Sequence, residues 1–396
     1  MRVPLLDLSD QYRGLEKEIL AAIREVLNTQ QFILGRNVKS FEASIAEYCG
    51  VPYAVGVSSG TDALLAALMA LEIGPGDAVI TTAYSFFGTA GSIARVGAVP
   101  LFVDIEPNTF NFSTHALKSY IDNRCKSVPS GELRDELGRK IRAIMPVHLF
   151  GLCCDMNAVR EIAGQYRLDV IEDAAQALGA EFVTADTGPR KAGTMSEIGC
   201  FSFYPSKNLG AAGDAGLVVC SDENLAKRLR ATRDHGMEPR YYHHFIGGNF
   251  RLDEIQAAIL QVKLPHLDRW AAARRTAADF YTAEFKRCGL IDKVVLPSEP
   301  YRSSGLTNHH VYHQYVIRAP RRDELQQHLA KREIGTAIYY PLALHEQKCF
   351  EYLAYKPGDF PEAVRAARET LALPIYPEIS RDAQRYVVNS FAEFFG

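Results

Sequence analysis

The chain has 396 residues, 47% of them hydrophobic and 23% charged, and its formal net charge is −3. This composition is typical of a soluble globular protein of roughly two or three domains, and it lacks the basic excess of nucleic-acid-binding proteins. No apolar run reaches the length of a membrane span, and the first residues lack the apolar core of a secretory signal, so we expect a cytoplasmic protein without a membrane partner.

Short apolar runs alternate with helical patterns over the first part of the chain. A helical pattern over 15–26 comes first, and later ones, such as 62–71 and 156–166, separate several of the apolar runs. The predicted strands are 53–57, 78–82, 99–103, 142–146, 169–172, 199–203 and 217–220. This alternation predicts an α/β layer with a mostly parallel sheet, in which ligands bind at the carboxyl ends of the strands.

The C-terminal part of the chain has a different pattern. A long helical pattern starts at Arg251, is interrupted at Pro265 and ends near Cys288. The elements predicted beyond it are a strand over 310–319 and helices over 322–332 and 363–371. We therefore predict a large domain over 1–250 and, over 251–396, a linking helix followed by a small α+β domain.

Residues that often bind metals or form disulfides are assigned structural roles here. The eight cysteines include no C-x-x-C pair, and several lie in apolar runs, which predicts free, buried thiols. His309, His310 and His313 would be split between the two faces of a strand, and no acidic residue is spaced to join them, so no metal site is predicted. The polar stretch 122–139 is predicted to be a surface excursion without an assigned function.

The turn after strand 53–57 is typical of an anion-binding site. A helical pattern follows it, so the amides of Gly60 and Thr61 would be free at a helix N-terminus. Unpaired N–H groups and the helix dipole both favour a phosphate there. An ordinary helix cap by Ser59 or Thr61 explains the same pattern.

Two further segments carry an acid and an amine. Strand 169–172 leads into Asp173 at the sheet edge where ligands bind, and Gln176 follows shortly after. Lys207 lies in a loop between two apolar strands, where partial burial would lower its pKa and make it a nucleophile. A helix cap by Asp173 and a solvated lysine are the structural alternatives.

The three segments together match the needs of one cofactor. Pyridoxal 5'-phosphate requires a lysine for its aldehyde, a carboxylate for its ring nitrogen and N–H donors for its phosphate. Lys207, Asp173 and the turn at Gly60 offer these groups in one chain. Each of them has an ordinary explanation alone, whereas their combination predicts a site for pyridoxal 5'-phosphate.

Four segments in a fixed order resemble the DegT-type nucleotide-sugar aminotransferases. The resemblance extends over nearly the whole chain, and the segments that carry it are 60–64, 172–176, 201–210 and 248–254. It implies a fold-type I pyridoxal-phosphate enzyme with a mostly parallel seven-stranded sheet in its large domain. It also implies a homodimer in which each active site is built from both subunits.

The resemblance assigns a role to each matching residue of the cofactor site. Lys207 is the residue that would bind the cofactor aldehyde and move the proton between cofactor and sugar carbon. Asp173 would pair with the ring nitrogen, Gln176 would contact the phenolic oxygen, and Phe86 would stack on the ring, although an apolar core explains a phenylalanine equally well. The residues expected at the phosphate are Gly60, Thr61, Ser202 and, from the neighbouring subunit, Asn249.

The resemblance also bears on the substrates. Glutamate is the expected amino donor, and a keto-sugar linked to a nucleotide is the expected acceptor. The run 240–251 is similar to members that aminate the 3-keto carbon, which favours a 3-keto-6-deoxyhexose, and Tyr241, His243 and His244 are candidate substrate contacts. Amination at C4 is the alternative, and Leu152 and Leu178 stand where relatives often have Gln and His, which affects substrate detail.

Two other classes of function compete with amino transfer. A lyase or dehydratase can use the same fold, but relatives that dehydrate sugars have histidine in place of the lysine, which argues against that branch. A regulator that keeps the cofactor site without turnover is the other alternative. The intact set of Lys207, Asp173 and Gln176 favours the enzyme.

Overall fold

The computed structural model describes residues 1–129 and 131–396. The α-helices are α1 (Ser9–Thr29), α2 (Arg36–Cys49), α3 (Gly60–Ala70), α4 (Gly88–Arg95), α5 (Thr114–Arg124), α6 (Met156–Tyr166), α7 (Glu223–Thr232), α8 (Glu254–Lys263), α9 (Leu267–Arg287), α10 (Arg322–Lys331), α11 (Pro361–Glu369) and α12 (Arg381–Phe395). The strands are β1 (Tyr53–Val57), β2 (Asp77–Thr82), β3 (Val99–Val103), β4 (Cys125–Ser127), β5 (Leu133–Asp135), β6 (Lys140–Met145), β7 (Asp169–Asp173), β8 (Glu181–Thr184), β9 (Gly188–Lys191), β10 (Ile198–Ser202), β11 (Gly216–Cys220), β12 (Tyr315–Arg318) and β13 (Thr370–Leu373).

The central sheet confirms the predicted α/β layer. Its strands follow the order β1-β11-β10-β7-β6-β2-β3. On this path β11 pairs in antiparallel fashion with both β1 and β10, and the other neighbouring strands pair in parallel. The polar stretch 122–139 differs from the prediction of a simple excursion. It contains β4 and β5, which form an antiparallel pair, and Arg134 of β5 pairs with Lys140 of β6, so the stretch extends the sheet.

The sheet is buried on both faces because helices cover both, and this explains its nearly continuous apolar strands. Along β7, Val170 belongs to one hydrophobic cluster, together with residues of α2, α6 and α8. Ile171 belongs to the other, together with residues of α3 and α7. Since side chains alternate along a strand, Glu172 lies on the face of Val170 and Asp173 on the face of Ile171.

The C-terminal part packs around its own apolar cluster, formed by α9, α10, α12, β12 and β13 together with Val3. The predicted long helix is divided into α8 and α9 by a short 3-10 turn at Leu264–His266, which contains Pro265. The domain division at residue 251 stays a prediction, and Leu252, Leu260 and Trp270 pack in the cluster of the central sheet.

Two predicted elements of the C-terminal part end earlier or start later than expected. The strand predicted over 310–319 is formed only by β12, because Val311 and Gln314 donate backbone hydrogen bonds to the loop at Gly151 and Phe150 instead. The helix predicted over 363–371 ends at Glu369, because the next residues form β13 and pair with β12. Pairing between distant segments overrides the local pattern in both places.

Two general features complete the fold. Five of the eight cysteines are buried as predicted, whereas Cys125 and Cys288 are partly exposed and Cys349 is exposed. Within the described residues, no helix has both the length and the apolar character needed to span a bilayer.

Candidate active site

A cavity of about 640 Å³ lies at the carboxyl ends of β7 and β10, beside the N-terminus of α3. This is the sheet edge at which ligands of open α/β folds bind. The predicted cofactor residues that line it are Gly60, Thr61, Phe86, Asp173, Gln176, Ser202 and Lys207. The structure therefore brings together all of the predicted cofactor residues except Asn249.

The N-terminus of α3 forms one wall of the cavity. Ser59 caps the helix by accepting a hydrogen bond from the N–H of Asp62 at 3.0 Å. The N–H groups of Gly60 and Thr61 have no acceptor among the described residues and remain available to an anion. Gly60 also allows close packing, since a Cβ there would lie 2.6 Å from the Cβ of Ser202.

Asp173 presents its carboxylate to the cavity. The hydroxyl of Thr89 donates to Oδ2 at 2.7 Å, and the N–H of Ala175 donates to Oδ1 at 3.2 Å. Burial raises the pKa of Asp173, while these two donors and the nearby Lys207 oppose the increase. The carboxylate keeps acceptor capacity for a further donor in the cavity.

Glu172 has a different environment on the opposite face of the sheet. Its carboxylate is fully buried and accepts four hydrogen bonds from described residues. The donors are His148 Nε2 (2.8 Å), the N–H groups of Gly193 and Met195 (both 2.7 Å) and Ser196 Oγ (2.8 Å). Because the N–H of Cys154 donates to His148 Nδ1 at 3.0 Å, the histidine proton lies on Nε2. Glu172 therefore fixes loops around the end of β7.

Lys207 lies in a tight turn between β10 and β11. Its N–H donates to the carbonyl of Tyr204 at 2.8 Å. The turn is closely packed at Gly210, where a Cβ would lie 2.3 Å from the carbonyl oxygen of Pro205. Burial lowers the pKa of Lys207 to about 8, although the charge of Asp173 partly opposes the decrease. A substantial fraction of this amine is neutral near physiological pH and able to act as a nucleophile.

Gln176 is held in one orientation by its neighbours. The N–H of Phe150 donates to Oε1 at 2.7 Å, so the oxygen of the amide must face Phe150. Its Nε2 donates to the hydroxyl of Tyr340 at 3.0 Å, which leaves one N–H of Gln176 for a ligand.

Phe86 is 57% exposed and stands at the cavity wall, so it is not a core residue. Its ring centroid lies 6.2 Å from that of Tyr340. The adjoining loop is tied to the C-terminal part through the hydroxyl of Tyr84, which accepts the N–H of Tyr340 at 2.7 Å and lies 2.9 Å from Thr370 Oγ1. The exposed part of the Phe86 ring is available to a flat ligand in the cavity.

Three residues that sequence reasoning missed also line the cavity: Thr89, His313 and Tyr340. His313 is buried, and burial together with the charges of Lys207 and Arg274 lowers its pKa well below the ordinary value. His313 and Tyr340 lie far from the other site residues in the chain, so no local pattern indicates them. Thr89 lies near Phe86, but its position opposite Asp173 depends on the packing of α4.

The remaining predicted residues lie outside this cavity in the chain. Tyr241 is 73% exposed, and His243, His244 and Asn249 are also exposed, in the loop between α7 and α8. His243 Nδ1 lies 3.0 Å from the carbonyl oxygen of His235, and His244 Nε2 contacts the carbonyl of Glu238. Their assignment to the cofactor or the substrate stays a prediction.

A sequence model of the DegT/DnrJ/EryC1/StrS aminotransferase family matches residues 14–392. The chain belongs to this family. The predicted resemblance is confirmed, and the activity of this family is amino transfer.

Similar proteins are known across the full length of this aminotransferase. A protein of Geobacillus stearothermophilus named pleiotropic regulatory protein is 47% identical, over 100% of this chain and 99% of that protein. A protein of Acidithiobacillus ferrooxidans named UDP-N-acetyl-3-dehydro-alpha-D-glucosamine 3-aminotransferase is 40% identical, over 96% and 94%. The crystal structure of S. venezuelae DesV in complex with a ketimine intermediate has a TM-score of 0.88 and 37% identity, over 99% and 98%.

At two positions this aminotransferase has leucine where, by the family resemblance, relatives often have a polar residue. Leu152 and Leu178 are both buried, and neither lines the cavity. Leu178 packs in the cluster that covers the Val170 face of the sheet. Neither residue contributes a polar group to the site.

Proposed function

We propose that this chain is a pyridoxal-phosphate-dependent aminotransferase that moves an amino group from glutamate to a nucleotide-linked keto-sugar. We propose further that the amino group is added at the 3-keto carbon of a 6-deoxyhexose, and that the enzyme is a homodimer with shared active sites. Its main support is that Lys207, Asp173 and the N-terminus of α3 line one cavity.

The residues of the cavity fit the proposed cofactor. The unpaired amides of Gly60 and Thr61 suit a phosphate, Asp173 suits a protonated ring nitrogen, and Lys207 suits an aldehyde. When bound, pyridoxal 5'-phosphate supplies an aldehyde that carries the amino group and a ring that withdraws electrons from the reacting carbon.

The chain's own residues perform the positioning and the proton transfer. Lys207, with its pKa lowered to about 8, can hold or release a proton at Nζ near neutral pH. Asp173 would accept the N–H of the ring nitrogen, and Gln176 would donate its remaining N–H to an oxygen on the ring. His313 and Tyr340 also line the cavity and would reduce the access of water to a bound cofactor.

Two observations support the proposed acceptor and assembly. The relative from Acidithiobacillus ferrooxidans is named for amino transfer at position 3 of a UDP-linked keto-sugar. The exposed loop with Tyr241, His243, His244 and Asn249 lies outside its own cavity, which supports a role in the site of a second copy.

The cofactor form tests amino transfer directly. The purified protein, loaded with pyridoxal 5'-phosphate, should change its visible absorbance to that of the pyridoxamine form when glutamate is added. A panel of nucleotide-linked 3-keto and 4-keto sugars should then restore the first spectrum, with the 3-keto compounds restoring it fastest. The absence of any change with glutamate contradicts the proposed amino donor, and faster restoration by 4-keto sugars contradicts the proposed position.

A regulator without turnover is the second candidate, because the relative with 47% identity is named a regulatory protein. The same measurement separates the two functions. A regulator would bind pyridoxal 5'-phosphate and keep its spectrum with every amino donor and keto-sugar in the panel.

A further inference from the structure

Two hydroxyl groups and one carboxylate form a continuous hydrogen-bonded chain in the wall of the cavity. Ser85 Oγ lies 2.9 Å from Thr89 Oγ1, and Thr89 Oγ1 lies 2.7 Å from Asp173 Oδ2. All three side chains are buried, with 3%, 1% and 4% of their surface exposed. Buried hydrogen bonds of this kind are stronger than exposed ones because the local dielectric constant is low.

The direction of this chain follows from the chemistry of its last member. An ionised carboxylate only accepts hydrogen bonds, so the single proton of the Thr89 hydroxyl points to Asp173. Thr89 Oγ1 then acts as an acceptor, and Ser85 is its donor. A donor chain that ends on a carboxylate stabilises the ionised form over the protonated form.

The chain also connects the acid to the loop that carries Phe86. Ser85 precedes Phe86, and the N–H of Thr89 donates to the carbonyl of Phe86 at 3.2 Å. The hydrogen bond from Thr89 to Asp173 joins residues 84 positions apart in the sequence. Thr89 therefore connects Asp173, the proposed partner of the ring nitrogen, with the loop of Phe86, which is proposed to stack on the ring.

We propose that Thr89 is a positioning residue, whose hydroxyl, supported by Ser85, holds Asp173 in the ionised form that a pyridinium N–H requires. The benefit of this role to cofactor binding rests on the proposed function. The hydrogen bond from Thr89 acts on the ionisation of Asp173 even without the cofactor. The other titratable groups that interact electrostatically with Asp173 are Lys207, Cys200, Tyr340 and, from the opposite face of the sheet, His148. Of these side chains and Thr89, only Thr89 donates a hydrogen bond to the carboxylate.

The first test measures the titration of Asp173 in the full-length, cofactor-free protein. Carbon NMR of aspartate carboxyl groups follows this titration, and the signal is assigned with Asp173→Asn. In Thr89→Val, which keeps the shape and removes the hydroxyl, the midpoint should rise by about one pH unit, because a hydrogen bond to a charged group is lost. Thr89→Ser keeps the hydroxyl and should titrate like the wild type.

Two further variants make this test specific. Thr81 is buried and donates to the carbonyl of Met145 at 2.8 Å outside the cavity, so Thr81→Val is a matched control that should leave the midpoint unchanged. Ser85→Ala removes only the supporting donor and should raise the midpoint by a smaller amount, and it carries the test if Thr89→Val does not fold. An unchanged midpoint in Thr89→Val, or in Ser85→Ala when it stands alone, overturns the proposal.

The second test measures the dissociation constant of pyridoxal 5'-phosphate between pH 5 and 9. Protonation of Asp173 would remove the partner of the ring nitrogen. Thr89→Val should therefore bind pyridoxal 5'-phosphate about tenfold more weakly, and its affinity should begin to fall at a higher pH than that of the wild type as the solution is acidified. Thr89→Ser should restore both values. Normal binding in Thr89→Val despite a raised Asp173 midpoint overturns the positioning role. If the wild type does not bind the cofactor, the proposed function fails, and the NMR titration still decides whether Thr89 controls Asp173.

Discussion

Glu172 and Asp173 are neighbours on β7, yet the two faces of the sheet give them different surroundings. Glu172 accepts four hydrogen bonds from described residues, which is the full acceptor capacity of a carboxylate. Asp173 accepts two and faces a cavity. Of these two buried acids, only Asp173 can therefore accept a further hydrogen bond from a ligand, because its oxygens retain free acceptor capacity.

Lys207 and Lys263 show the same contrast for amines. Burial lowers the pKa of both to about 8. The ammonium of Lys263 donates to the carbonyl of Gly210, whereas that of Lys207 has no acceptor among the described residues and borders the cavity. A lowered pKa alone therefore does not identify the reactive lysine.

The largest effect expected from this contrast concerns the two lysines. Lys207→Ala should lower the rate of amino transfer by about four orders of magnitude or more, since it removes the proposed nucleophile and proton carrier. Its circular dichroism should match that of the wild type. Lys263→Met should retain amino transfer and lose some stability, because the carbonyl of Gly210 loses its donor. Amino transfer by Lys207→Ala at a rate near that of the wild type contradicts the assignment.

The next effect concerns the acid that faces the cavity. Asp173→Asn should lower amino transfer about a hundredfold, because a neutral amide replaces the charged partner proposed for the ring nitrogen. Stability in urea should not decrease, since the substitution removes a buried charge. A large loss of stability with normal activity in the folded fraction would show that Asp173 serves the fold instead.

The matching substitution of Glu172, on the other face of the sheet, should lower stability and leave activity largely unchanged. Glu172→Gln places an amide against the backbone N–H groups of Gly193 or Met195, and we expect the free energy of unfolding to fall by about 3 kcal/mol. Protein that remains folded should keep most of its amino transfer activity. Urea denaturation and activity per folded molecule measure the two quantities, and unchanged stability refutes the structural role of Glu172.

The smallest effect is a displaced pH dependence. The rate at which Lys207 captures pyridoxal 5'-phosphate should rise with pH up to about 8 and then level off, because the neutral amine is the nucleophile. An ordinary lysine, with a pKa of 10.5, would give a rate that rises well beyond this point. Stopped-flow absorbance over pH 6 to 10 distinguishes the two curves.

Local sequence was sufficient for much of the sheet and for part of the site. Strands 53–57 and 99–103 were predicted with their observed bounds, because each is a short apolar run flanked by turn residues. Lys207, Asp173 and Gly60 follow strands whose carboxyl ends meet at one edge, so their proximity could be predicted from the strand order of an α/β layer.

The rest depends on contacts between distant segments. Tyr340 and His313 reach the cavity because the C-terminal part packs against the sheet edge, and no periodic pattern encodes that packing. The end of the helix predicted over 363–371 was wrong because pairing of Thr370 with Arg318 outweighs a local helical pattern. Asn249 and the exposed loop around Tyr241 stay predictions, since a single chain does not bring them to its own cavity.

Tyr84 has a consequence for the order in which the protein acquires its site. Its hydroxyl lies 2.9 Å from Thr370, a residue 286 positions later, and it accepts the N–H of Tyr340. The cavity wall therefore requires residues that are synthesised late in the chain. A nascent chain that ends before His313 would lack both His313 and Tyr340 from the wall of the cavity that contains Lys207.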